Sequence, residues 1–124
     1  MYTVKVRNSI MIAHSLPNPF FGPAQHMHGA TYVVDVTFSS EKLDPHNVVI
    51  DIGKAKDITS DVLSHLNYKN LDELPQFINK LTTTEFMAKY IHDKIKEQVV
   101  AFFEGTISVC LGETHDAWAS YSGS

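Results

Sequence analysis

The sequence predicts an α+β domain: a four-stranded antiparallel sheet with two helices on one face, in the order ββααββ. Three observations carry this reading. Apolar and polar residues alternate near both ends of the chain, which is the period of a half-buried strand. In the middle, apolar residues recur at intervals of three and four, the period of an amphipathic helix. Strands and helices fall in separate runs, which places the helices together on one face of an antiparallel sheet. With 124 residues, the chain makes one core, so 1–124 is read as a single domain.

Each element follows from its own pattern. Tyr2, Val4, Val6, Ile10, Ile12 and His14 share one parity, and Thr3, Lys5, Arg7 and Ser9 hold the other. This is a long first strand with one apolar face and His14 at its far end. Pro17, Asn18, Pro19, Gly22 and Pro23 then break any strand, so Ser15 to Gln25 is a loop, long enough to serve binding. The second strand carries His26, His28, Ala30, Tyr32, Val34, Val36 and Phe38 on one face. A turn around Pro45 and a short apolar run, Val48 to Ile50, lead to Asp51, which suits a helix N-cap. Behind it Ile58, Val62, Leu63 and Leu66 form one stripe. Asn67 to Lys80 is polar and reads as a loop. Thr82-Thr83-Thr84-Glu85 has capping-box spacing. It opens a second helix with Met87, Ile91, Ile95, Val99 and Phe102 inward and Gly105 as its stop. Ile107, Val109, Leu111 and Glu113 share a face of the third strand, and Ala117 to Tyr121 make the fourth.

Composition narrows the function classes. The chain is 44% apolar and 19% charged, ordinary for a globular protein. A net charge of −4, with scattered basic residues, argues against a nucleic-acid partner, because phosphate neutralisation needs a basic patch. No apolar run is long enough to cross a membrane, and no charged-then-apolar leader opens the sequence. Cys110 is the single cysteine, so no internal disulfide forms; a reducing, cytoplasmic setting is expected. Four long strands leave two open edges, which invite pairing with another copy and predict a homo-oligomer.

The chemistry concentrates in Gln25-His26-Met27-His28-Gly29. Strand residues two apart point to one face, so His26 and His28 project side by side. If the first two strands pair antiparallel, His14 returns to the same place on the same apolar face. Neutral imidazole suits Zn, Cu, Fe and Ni, and catalytic zinc takes three protein ligands with one position open. The plainer alternative is three partly buried, hydrogen-bonded histidines. Glu113 follows the inward parity of its strand, and a carboxylate there needs donors. Two adjacent N–H groups of a pterin or guanine would supply them; a solvated or lysine-paired carboxylate is the other reading. His115 and Asp116 follow at once, and histidine is suited to general acid or base work.

Ala13-His14-Ser15-Leu16, His26-x-His28-Gly29, Leu66-Asn67-Tyr68-Lys69-Asn70-Leu71, Thr83-Thr84-Glu85 and Glu113-Thr114 occur in this order over nearly the whole chain. Together they resemble the 6-pyruvoyl-tetrahydropterin synthase and 6-carboxytetrahydropterin synthase family. The resemblance implies a tunnelling fold, in which three subunits close a twelve-stranded barrel and two rings stack into a hexamer with sites at subunit interfaces. It implies Zn2+ on His14, His26 and His28, and a pterin ring held by Glu113 with Thr114. The chain departs from the family's pattern at Gly22, where the family has a cysteine, and at Asn67 and Tyr68, where it has an Asp-His pair. A proton relay here would fall to His115, Tyr68 and Asp116. The expected function is therefore lyase-type chemistry on the side chain of a dihydropterin, or else metal and pterin binding without turnover.

Overall fold

A computed structural model describes residues Met1 to Ser124. Two long strands, β1 (Tyr2–His14) and β2 (His28–Ser40), form its backbone. They run antiparallel in continuous register from Tyr2 opposite Ser40 to His14 opposite His28. Helix α1 (Ile52–Ser64) follows, then a two-residue strand β3 (Lys69–Asn70) and helix α2 (Thr84–Val99). Strands β4 (Thr106–Thr114) and β5 (Ala117–Gly123) close the chain.

The α+β class and the four long antiparallel strands are as the sequence predicts, but the sheet has a fifth strand and is mixed. Its order is β3-β1-β2-β4-β5, with β3 parallel to β1 through Ile12 and Ala13. The order is therefore ββαβαββ rather than ββααββ. Two residues show no period, so β3 cannot be read from the pattern. Three short 3-10 turns also appear: Pro19–Gln25 in the loop expected to be irregular, and Leu71–Glu73 and Pro75–Phe77 in the next.

Strand parity sets the core. Val6, Ile10, Ile12, Tyr32, Val34, Val36, Phe38, Ile107, Val109 and Leu111 are all buried. Ile58, Val62 and Leu63 of α1, Leu66 just past its end, and the α2 stripe of Met87, Ile91, Ile95 and Val99 belong to the same core. Phe102 does not: it lies exposed with Lys54 Nζ 3.9 Å above its ring, and Phe103 is buried instead. The Asp51 side chain caps α1 by accepting from Lys54 N at 2.8 Å. At α2 the cap is Thr83, which accepts from Phe86 N, so Thr82 is released from the expected capping box. Helix α2 ends at Val99, before Gly105. Gly105 serves another end: a Cβ there would sit 1.8 Å from the Ser39 carbonyl oxygen, so glycine lets β4 start close against β2.

The opposite face of the sheet is mixed, with Met11, Val33 and Trp118 exposed among polar residues. Arg7 crosses from β1 to β2 and grips Asp35 with two hydrogen bonds of 2.6 and 2.9 Å. The Arg7 guanidinium holds the Asp35 carboxyl below the usual carboxylate range. Cys110, opposite Asp35 in the ladder, has its thiol pushed up in pKa by burial, which suits a packing residue rather than a nucleophile.

Candidate metal and ligand site

The antiparallel register delivers His14 and His28 to the same end of the sheet. Their rings meet edge to face with centroids 4.6 Å apart. His14 is buried at 2% exposure, and His28 is half-buried. His14 Nδ1 is bonded to Thr82 Oγ1 at 3.0 Å. His28 Nδ1 lies 2.8 Å from the His26 carbonyl oxygen. A carbonyl only accepts, so His28 carries its proton on Nδ1 and its Nε2 is the basic nitrogen. His14 Nε2 is buried with no hydrogen-bond partner at all. Two imidazoles, each tied at Nδ1 and unspent at Nε2, have the outer-shell arrangement of metal-binding histidines.

Electrostatics favours the neutral form that metal binding requires. Burial lowers the His14 pKa, and the charge of a protonated His28 would lower it further. Asp72 opposes these effects from the other side. Asp72 also fixes the chain just beyond His14, accepting from Ser15 N at 3.1 and 3.2 Å and from the Ser15 hydroxyl.

His26 does not complete the set within one chain. β2 begins at His28, so His26 lies outside the ladder that was expected to align the pair, and it is exposed. No cluster of three His, Cys, Asp or Glu side chains is arranged to hold a metal ion. Of the three histidines expected to converge, His14 and His28 lie together, and His26 contributes its carbonyl to orient His28.

Glu113 sits at an irregularity. The β4–β5 register shifts between Gly112 and Thr114, so Glu113 is the unpaired residue of a bulge. The residue is exposed, yet its Oε2 accepts from the Thr84 hydroxyl of α2 at 3.1 Å. Its charge is near enough to raise the pKa of His14. Thr82, Thr84 and Asp72 are the site residues that sequence reasoning missed. Thr82 and Thr84 entered the sequence reading only as helix-start residues, and Asp72, in the loop before α2, carried no signal.

The proposed relay is not gathered here. His115 and Asp116 lie exposed in the turn between β4 and β5, where Asp116 accepts from the Thr114 hydroxyl at 2.8 Å. Tyr68 is 79% exposed beside β1, with its backbone N donating to the Met11 carbonyl and a φ of 61°. A positive φ in a tyrosine is uncommon, and such residues cluster at functional sites.

A family model described as 6-pyruvoyl tetrahydropterin synthase matches residues 3–124. The chain belongs to the 6-pyruvoyl tetrahydropterin synthase family. Among solved structures, the 6-pyruvoyl tetrahydropterin synthase of Caenorhabditis elegans is 27% identical with a TM-score of 0.84, covering 99% of this chain and 96% of that one. The Plasmodium vivax enzyme, at 16% identity and a TM-score of 0.80, shares the fold over 99% of both chains. The Bacillus subtilis 6-carboxy-5,6,7,8-tetrahydropterin synthase is 27% identical over 70% of this chain and 60% of its own length. The Drosophila melanogaster 6-pyruvoyl tetrahydrobiopterin synthase is 29% identical over 75% and 63%. The matches thus span less than two thirds of these two curated relatives.

Within this family framework, two of the chain's own departures acquire a structural account. Gly22 has φ 54° and ψ −127°, a conformation that side chains rarely adopt, although a Cβ there would meet nothing within 4 Å. Asn67 uses its Oδ1 to accept from Met11 N at 2.9 Å, which fixes the loop against the β1 edge.

Proposed function

We propose that this chain is a zinc-dependent, pterin-processing enzyme with lyase-type chemistry on the side chain of a dihydropterin. The observation that carries the reading is the His14–His28 pair, tied at both Nδ1 atoms, with Glu113 on the neighbouring strand. His14 and His28 would hold the metal through Nε2. Zinc bound there would polarise substrate oxygens. Glu113, held by Thr84, accepts two adjacent ring N–H groups and keeps the heterocycle in place. Thr114 lies beside it on β4.

The remaining donors and the proton relay call for a second copy of the chain. We read the protein as a homo-oligomer, a hexamer of two stacked trimers, in which sites lie between subunits. The open outer edge of β5 and the long uncovered edge of β1 supply the surfaces. His115, Asp116 and Tyr68 then serve as proton-transfer groups from their exposed positions. A cytoplasmic setting fits the single free cysteine.

One observation favours a second reading. None of His115, Asp116 or Tyr68 touches the histidine pair in the chain, as expected for a metal- and pterin-binding module without turnover. Incubation with dihydroneopterin triphosphate and with simpler dihydropterins separates the two. Product formation that falls with His115→Ala supports the enzyme; tight binding with no product supports the module. Purified protein without stoichiometric zinc, and with no zinc affinity lost in His14→Ala or His28→Ala, overturns the metal site in both.

A further inference from the structure

His14 stands where the sheet stops. The pairing of β1 with β2 ends at His14 opposite His28, and the pairing with β3 ends one residue earlier, at Ala13 beside Asn70. Residues at the end of a ladder open most easily, yet a metal ligand has to keep its place to within about 0.5 Å. Something beyond the ladder must hold His14.

A closed ring of contacts does so. Ala13 pairs with Asn70. The Asn70 side chain accepts from Asp72 N at 3.0 Å and caps the turn Leu71–Glu73. The Asp72 carboxylate then reaches back to β1, accepting from Ser15 N at 3.1 and 3.2 Å and from the Ser15 hydroxyl at 2.5 Å. Leu71, between the two polar residues, is fully buried and anchors the turn in the core. Ala13 and Ser15 are the two chain neighbours of His14. One short segment, Asn70 to Asp72, therefore holds the backbone on both sides of His14, while Thr82 holds the ring at 3.0 Å. Stability alone gives the ring of contacts little reason to exist. Ser15, Asn70 and Asp72 are only part-buried, so water competes for the same bonds and their net worth to folding is modest. The two-residue β3 likewise adds little to the sheet except the placement of this segment.

We propose that Asp72, seated by Asn70, is a positioning residue for the metal site: it fixes Ser15 so that His14 Nε2 is presented beside His28 to a single ion. The inference rests on His14 and His28 being metal ligands. The Asp72 charge also reaches the His14 ring, so the test separates position from charge.

The test uses the full chain, Zn2+ titrated in competition with a chelator, and the visible spectrum of Co2+-loaded protein, which reports ligand geometry. Asp72→Ala should weaken zinc binding ten- to a hundredfold, the usual effect of removing outer-shell support, and should change the cobalt spectrum while the far-ultraviolet spectrum stays the same. Asp72→Asn keeps an oxygen for Ser15 N but removes the charge; it should retain most of the affinity and the wild-type cobalt spectrum. Asn70→Ala should lose a smaller factor, and Asn70→Ala/Asp72→Ala should bind no worse than Asp72→Ala alone, because both act through one chain of contacts. Should Asp72→Ala fold poorly, Ser15→Ala carries the test: it removes only the hydroxyl bond, and an unchanged cobalt spectrum there overturns the inference. Wild-type affinity in Asp72→Ala, or equal losses in Asp72→Ala and Asp72→Asn, also overturns it while His14→Ala still abolishes binding. A wild-type protein that binds no zinc, or a His14→Ala variant that binds it normally, overturns the metal site and the inference together.

Discussion

At the scale of single residues, His14 carries the most informative environment. Its folded pKa lies below the ordinary value of about 6.5 because burial disfavours the charged ring. The unfolded chain therefore takes up the proton first. Stability should hold above about pH 6.5 and fall as the pH drops below it. Thermal melts of metal-free protein between about pH 7.5 and pH 5.5 should show this loss, and His14→Gln should flatten it. Thr82 is tied to the same ring at 3.0 Å. Replacing an outer-shell partner of a ligand histidine typically costs ten- to a hundredfold in metal affinity. Thr82→Val should weaken zinc binding by about that factor, read by competition with a chelator, while far-ultraviolet spectra stay unchanged. Neither role shows in the sequence. His14 was visible as an inward-facing histidine, but its partner stands 68 residues away in a run of three threonines, and spacing along a chain does not encode which hydroxyl meets which ring.

Among the elements, the β1–β2 ladder and the start of β4 carry the clearest expectations. Arg7 and Asp35 join β1 to β2 on the outer face with fork-like geometry. The Asp35 pKa is held down by Arg7, so its contribution is present above the unfolded value near pH 4 and is lost as pH falls through the lower folded value. Because Arg7 is largely solvated, Asp35→Asn should cost no more than about 1 kcal/mol near neutral pH, measured by urea denaturation. Gly105→Ala should cost more, about 3 kcal/mol, because its Cβ meets backbone at Ser39 and neither strand can yield without breaking the ladder. The long strands and both helices were legible because their apolar periods run over many residues. The capping box was displaced by one residue, since Thr83 and not Thr82 has the N-cap geometry. The β3 pair and the bulge at Glu113 stayed hidden because each is a local choice made by tertiary contacts.

For the whole molecule, the sheet has one covered face and one open one. Met11, Val33 and Trp118 are exposed, and the ladder pairs Val33 with Gly112 and Gly112 with Trp118 on the open side. With the outer edge of β5 unpaired and β1 covered by β3 only at Ile12 and Ala13, this surface favours association between copies. Light scattering should give a mass several times that of one chain, and Trp118→Lys should shift it toward the monomer. A monomer at all concentrations would count against shared sites. The buried His92 also belongs to this scale. It shows no ligand pattern in the sequence and reads there as a surface or helix-side residue. In the fold it is 3% exposed and ties α2 to the end of β5 through the Gly123 carbonyl at 3.0 Å.

The sequence by itself determined the fold class, the parity that turns His14 and His28 inward, and the motifs that mark the family, because each is written in residues close together or repeated with a fixed period. Only the tertiary structure decided that two imidazoles meet while His26 stays outside the ladder, that Glu113 stands on a bulge bonded to Thr84, and that Thr82 and Asp72 stand behind the site. Those outcomes depend on register and packing between segments far apart in the chain, where the free energy of a contact belongs to both partners and no single stretch of sequence carries it.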